Sequence, residues 1–161
     1  QSLKNFARLD ESELKKVDIH EGIKSTLTLL RHEIRNRITV NMNFGELPSI
    51  ECYPNLLNQV IMNLLVNACH SIEDKGEITI STAIRKNNLE IAITDTGTGI
   101  EKDIINKIFD PGFTTKGVGV GTGLGLSICY QIIEKHKGEI KVKSTPNEGS
   151  TFTIKIPIRQ D

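Results

Sequence analysis

The sequence predicts an α+β fold, a two-layer sandwich in which a mixed sheet is covered on one face by about three helices. Three observations lead there. Apolar residues recur at helical spacing in three separated segments, alternating apolar runs pair off into two hairpins, and the strands and helices are segregated enough to leave the helices on one face.

The elements follow in chain order. Residues 1 to 16, with Leu3, Phe6, Leu9 and Leu14 among many charges, read as the end of an amphipathic helix that starts upstream. Asp18 with Glu21 makes a capping box, and Ile19, Ile23, Leu27, Leu30 and Ile34 then recur as one helix of about four turns. Ile38, Val40, Met42 and Phe44 alternate as a half-buried strand, and Pro48 and Pro54 punctuate the way to the next helix. Leu57, Val60, Ile61, Leu64, Leu65, Ala68 and Ile72 form that helix's buried face, with Gly76 placed to close it. The runs 78–84 and 89–94 flank Asn87-Asn88 as a hairpin whose second strand delivers Asp95 at its end. A short helix is expected over about 102–108, then a glycine-rich loop, a helix over 124–136 stopped near Gly138, and a closing hairpin of 140–143 and 151–156 across Pro146-Asn147.

Composition removes several classes of function. At 161 residues the chain can bury one core without staples. Lys plus Arg equals Asp plus Glu at 20 each, so no overall basic field points to nucleic acid or to an anionic membrane. Cys52, Cys69 and Cys129 are odd in number and fit no C-x-x-C framework, which suits core thiols in a reducing compartment and a cytoplasmic domain. The longest apolar stretch, 56–68, is broken by Asn58, Gln59, Asn63 and Asn67 and falls short of the roughly 20 residues that a membrane span needs. No secretory signal pattern is present.

Chemistry concentrates in the glycines. Eight of the thirteen lie between Gly97 and Gly125, in Asp95-Thr-Gly-Thr-Gly-Ile100 and Gly119-Val-Gly-Thr-Gly-Leu-Gly-Leu-Ser127, and such crowding asks for tight turns or close approach to a ligand. Neither a dinucleotide fingerprint nor a Walker loop can be threaded through them: no G-x-G-x-x-G occurs, and the spacing from Gly112 to Gly117 is followed by Val118. Asn63 and Asn67, at i and i+4, bring two amides to the same side of an otherwise apolar helix, either to bridge to a neighbouring loop or to meet a ligand. Asp95 either forms an Asx turn before Gly97 or offers its carboxylate to a ligand. Gly119 to Gly125, opening a helix, can aim N–H groups at phosphate.

With these blocks in order, the chain resembles the catalytic and ATP-binding domain of sensor histidine kinases, in the superfamily with gyrase, Hsp90 and MutL, from about residue 17 to 161. The N box is Asn58 to Ala68, the G1 box Asp95 to Ile100, the F box Ile108 to Lys116 and the G2 box Gly119 to Leu126, and Gly149-Ser-Thr-Phe-Thr-Ile154 is similar to the family's last strand. The resemblance implies the Bergerat ATP-binding fold, with ATP and Mg²⁺ as ligands. It implies Asn67 as the Mg²⁺ ligand through its carbonyl oxygen, Asn63 as a supporting contact, and Asp95 as acceptor of the adenine amine. Gly97, Gly99 and Ile100 would lie against the ring, with Phe109 and Thr151 beside the nucleotide. Lys116, Gly119, Gly121, Thr122, Gly123, Leu124 and Gly125 would hold the triphosphate, and the run from Phe109 to Gly121 resembles a mobile lid. Lys116 also reads as a solvated loop lysine. Two positions depart from the family pattern: His70 stands where Lys or Arg is common near the phosphates, and Gly112 where an aromatic is common.

One position separates the chemistries of the superfamily. Its ATPases carry a glutamate four residues before the Mg-binding asparagine, and here that residue is Asn63, whose amide cannot act as a general base. The resemblance therefore implies a kinase that holds ATP until a histidine on a helical dimerisation domain arrives, with onward transfer to an aspartate of a response regulator receiver domain. An ATPase clamp and a serine-directed module of the anti-sigma type are the alternatives. His32-Glu-Ile-Arg-Asn-Arg-Ile38 imitates the family's phosphoacceptor motif, but Arg37 replaces its proline and a strand pattern starts at once. The acceptor is therefore expected upstream of Gln1, with residues 1 to 16 ending the second dimerisation helix and 17 to 161 forming the catalytic domain. A homodimer is implied for the longer protein and a monomer for this chain.

Overall fold

In a computed structural model of the chain, residues 13–110 and 125–160 are described. The first element among the described residues is a short strand, β1 (Lys15–Val17), so helix does not extend to residue 16. It pairs antiparallel with β3 (Ile50–Cys52) in a two-stranded ribbon. That ribbon is tied to the end of the chain, where Glu51 N–H donates to Ile158 O at 3.0 Å and Gln160 N–H donates to the Glu51 carboxylate at 2.7 Å.

Asp18 caps α1 (Ile19–Leu29) by accepting from His20 N–H at 2.9 Å. The expected four-turn helix stops here. Leu30 leaves helical geometry, and α2 (Arg31–Ile34) follows as a separate turn. Thr26 and Thr28 donate their hydroxyls to Gly22 O and Lys24 O, four residues back, a pattern that bends helices.

The main sheet has the order β2 (Ile38–Phe44), β4 (Gly76–Arg85), β5 (Asn88–Asp95), β7 (Gly149–Pro157), β6 (Glu139–Thr145). Among the described strands only the β2–β4 pair is parallel. Parallel neighbours need a crossover, and α3 (Pro54–Ser71) supplies most of it. Lys86 and Asn87, both left-handed at φ 51° and 64°, form the two-residue loop that suits an antiparallel hairpin between β4 and β5. Gly76 opens β4 and does not cap α3, which ends at Ile72. The stretch expected as a helix over 102–108 forms only a 3₁₀ turn at Ile105–Lys107.

Helix α4 (Gly125–Lys135) ends in a Schellman motif: left-handed Lys137 donates its N–H to Glu134 O, and Gly138 donates to Ile133 O. Helix α3 lies over β5 and β7 between α1 and α4, burying Leu57, Val60, Ile61, Leu64 and Leu65 against Ile91, Ile93, Ile154 and Ile156 of the sheet. The three cysteines are free and buried in this core. Among the described residues no helix is long and apolar enough to cross a membrane.

His136 joins the lower end of this core. It is fully buried, with one ring nitrogen, Nδ1, 2.8 Å from Ile132 O, while the other, Nε2, accepts Tyr53 N–H at 3.0 Å. Burial holds it below its ordinary pKa of 6.5. The folded state therefore stays neutral where the unfolded chain takes up a proton, and this contribution to stability is complete above pH 6.5 and lost as the pH falls through the lower folded-state value. Urea midpoints measured from pH 8 to pH 5 should fall more steeply for the wild type than for His136→Gln; parallel curves would show that another group carries the dependence.

Candidate functional site

Period-two alternation decides where the site forms. Leu89, Ile91 and Ile93 of β5 point to the helical layer, so Asp95, two residues on, points there too. Asp95 is only 4% exposed. Oδ1 accepts Gly97 N–H at 2.8 Å, the Asx turn that is one of the two alternatives from sequence, and lies 3.2 Å from the Ser71 hydroxyl at the end of α3. Ser150 N–H adds a third donor. Burial raises the pKa of Asp95 above the ordinary carboxylate value, and the three hydrogen bonds draw it back down.

The loop 96–100 is held from both sides. Toward α3, Thr98 N–H donates to Ser71 O at 3.0 Å, and a Cβ on Gly97 would stand 2.6 Å from that same carbonyl oxygen. Toward the β6–β7 hairpin, Asn147 N–H donates to Thr98 O at 2.7 Å and Ile100 N–H to Ser144 Oγ at 2.7 Å. Gly99 is left-handed at φ 73°, and a Cβ there would strike Thr145 O. In this structure both glycines make room for the protein's own backbone.

Helix α3 carries Asn63 and Asn67, both half-buried and one turn apart. Asn63 Nδ2 donates to Gly125 O at 3.3 Å and lies 3.7 Å from Cys129 Sγ, so this amide bridges to the first turn of α4. Asn67 makes no side-chain hydrogen bond among the described residues and keeps both amide groups for other partners. His70, on the last turn, meets Glu33 of α2 at 3.2 Å. Phe109 packs edge-on against Phe152, with ring centroids 6.4 Å apart, and 6.0 Å from Tyr130.

Thr151 is not brought to this cluster. It pairs in register with Thr94, the two hydroxyls 2.9 Å apart, on the opposite face of the sheet from Asp95. Its neighbour Ser150 faces Asp95 instead and shares a hydrogen bond of 2.8 Å with Ser144. Sequence reasoning missed Ser71, Ser144 and Ser150. The signal for Ser150 was present, as a small polar residue in the apolar row of Phe152, Ile154 and Ile156. Lys116, Gly119, Gly121, Thr122, Gly123 and Leu124 lie outside the described residues.

A family model for histidine kinase-, DNA gyrase B- and HSP90-like ATPases matches residues 52–160, which include α3, the loop 96–100, Asp95 and Ser150. The chain belongs to that family. Within this ATPase family it is 39% identical over 150 residues to the sensor histidine kinase ZraS of Escherichia coli K12, covering 90% of this chain and 31% of ZraS. It is 40% identical over 143 residues to sporulation kinase E of Bacillus subtilis, covering 86% of this chain and 19% of that protein. The chain thus spans about a third or less of these curated relatives. Among solved structures, the nucleotide-free catalytic domain of histidine kinase ThkA superposes with a TM-score of 0.81 at 32% identity, covering 90% of this chain and 95% of that one. Full-length ShkA in complex with AMPPNP gives 0.83 at 25% identity, covering 94% of this chain and 33% of that one. These comparisons and the mixed five-stranded sheet establish the Bergerat-type fold and a nucleotide-binding ATPase domain of the histidine kinase kind.

The close approach at Gly97 makes a direct test. Gly97→Ala should lower stability by about 2 kcal/mol in urea unfolding, because the added methyl meets a backbone carbonyl. Gly22→Ala, where the obstacle is the end of the Asn58 side chain, should cost clearly less. Equal losses at both sites would show that the contact with Ser71 does not constrain the loop.

Proposed function

We propose that this chain is the catalytic unit of a sensor histidine kinase, which binds Mg-ATP and passes the γ-phosphate to a histidine on a dimerisation domain outside the chain, for onward transfer to a receiver aspartate. The observation that carries the proposal is Asp95. A carboxylate has about four acceptor positions, so it can accept the exocyclic amine of adenine while keeping its bonds to Gly97 and Ser71. Guanine would place a carbonyl oxygen against it, leaving two acceptors face to face and unpaired.

Asn67 fits a hard cation. Its uncommitted amide offers a neutral oxygen on a half-buried helix face, the donor that Mg²⁺ accepts when it is bound chiefly through phosphate oxygens. Bound there, the ion supplies neutralisation of phosphate charge. The chain's own contribution is to hold the adenine at Asp95 and to keep the fold of the site fixed while the acceptor arrives, so that catalysis is mostly positioning. Asn63 supports the kinase reading over an ATPase clamp, because an amide already bonded to Gly125 O and close to Cys129 Sγ activates no water. The longer protein is a homodimer in this reading, and the domain works beside a receiver partner.

Calorimetric titration should show ATP bound well above GTP, with little phosphate released by the chain alone; rapid release would favour the clamp ATPase. Asp95→Asn should weaken ATP binding by at least about tenfold, since a charge-assisted hydrogen bond in a buried site is lost. Unchanged affinity would take Asp95 out of the site. Asn67→Ala should abolish the Mg²⁺ dependence of ATP binding, and retained dependence would point to a different ligand.

A further inference from the structure

Arg37 stands where α2, α3 and β4 meet. Its guanidinium Nε donates to Glu33 O at 2.8 Å, Nη2 to Cys69 O at 2.8 Å, and Nη1 to Ile72 O at 2.8 Å and more distantly to Asp74 O at 3.4 Å. Its main chain adds a bond on each side, from Arg37 N–H to Ile34 O at 3.2 Å and from Gly76 N–H to Arg37 O at 3.0 Å. The last carbonyls of a helix have no partner in its regular ladder, and this one fork reaches Cys69 O in the last turn of α3 together with Ile72 O and Asp74 O just beyond it. Between α3 and β4, Glu73, Asp74 and Lys75 are exposed, so packing does not hold the turn.

Both ends of the turn bond to the nucleotide loop. On the α3 side, Ser71 accepts Thr98 N–H through its carbonyl and lies beside Asp95 through its hydroxyl. On the β4 side, Glu77 O accepts Thr96 N–H at 3.1 Å, and Glu77 N–H donates to Thr96 Oγ1 at 2.9 Å. We infer that Arg37 is a positioning residue for the base-recognising loop 95–98, acting through the end of α3 and the start of β4 without touching the ligand. The inference rests on the reading of Asp95 as the group that recognises adenine. A lysine cannot replace it, because one compact ammonium does not reach carbonyls that diverge across a planar fork.

The test compares wild type, Arg37→Ala, Arg37→Lys, Arg37→Gln and Arg35→Ala by ATP titration and by amide hydrogen exchange. Arg35 is a neighbouring exposed arginine that controls for loss of charge. Arg37→Ala should weaken ATP binding by about tenfold, the scale of supporting-shell substitutions. Arg37→Lys should lose nearly as much, and Arg35→Ala should bind as wild type. Exchange at the Thr98 amide should quicken by about tenfold in Arg37→Ala while Ile91 and Ile154 in the sheet keep their protection. Wild-type ATP affinity in Arg37→Ala would overturn the inference, as would exchange that quickens equally at Thr98, Ile91 and Ile154, since Arg37 would then serve global stability alone. If Arg37→Ala does not fold, the lysine and glutamine variants carry the same comparison. Failure of the wild type to bind ATP would instead defeat the reading of Asp95, and the exchange data would still decide whether Arg37 holds Thr98.

Discussion

A buried carboxylate at the end of an apolar row is the constraint around which this domain is arranged. The pleat of β5 sends Asp95 to the same side as Leu89, Ile91 and Ile93, into a layer where an ionised group without partners is costly. Three donors from three parts of the chain answer that cost: Gly97 N–H next in sequence, Ser150 N–H across the sheet, and the Ser71 hydroxyl at the end of α3. Each can reach Asp95 only if its own element is correctly placed. The end of α3, the register of β5 with β7 and the turn after β5 are therefore set together.

The glycines around that carboxylate follow from the same crowding. Gly97 and Gly149 both stand where a side chain would meet main-chain atoms, of Ser71 in one case and of Asp95 and Thr96 in the other. Backbone packed against backbone leaves little freedom, and in the proposed reading this rigidity would set the acceptor atoms before the ligand arrives. Asn67 differs from its surroundings in this respect: it sits on the same rigid helix, yet it has no bond among the described residues. In the proposed reading, the group that recognises the base is pinned by the protein and the amide on the phosphate side is left open.

Much of this was legible in the sequence where a pattern was long. The alternation in 78–84 and 89–94, the helical spacing in α3 and the position of Asp95 at a strand end all reappear in the fold. Short elements escaped because three residues carry no period: Lys15–Val17 and Ile50–Cys52 pair with each other in a ribbon apart from the main sheet. The break at Leu30 escaped because the apolar spacing continues through it, while the threonine hydroxyls that favour a bend act on main-chain carbonyls. Gly76 reads as a helix stop by residue type alone, and what decides its role is Thr96, whose Oγ1 would lie 2.6 Å from a Cβ there. At the site, Thr151 and Ser150 differ by one position, and only the register with β5 tells which of them faces Asp95.

Asn63 shows how one residue type can bind structure and chemistry together. In the reading proposed above, Asn63 stands where a general base would stand in an ATPase clamp, and its Nδ2 spans to Gly125 O in the first turn of α4. A carboxylate in its place would set an acceptor against an acceptor, so the bridge between α3 and α4 would be lost as the base was gained. The same amide thus ties α3 to the first turn of α4. In the kinase reading proposed above, a carboxylate base at that position would be gained only with the loss of the bond to Gly125 O, which ties that chemistry to the packing of α3 against α4.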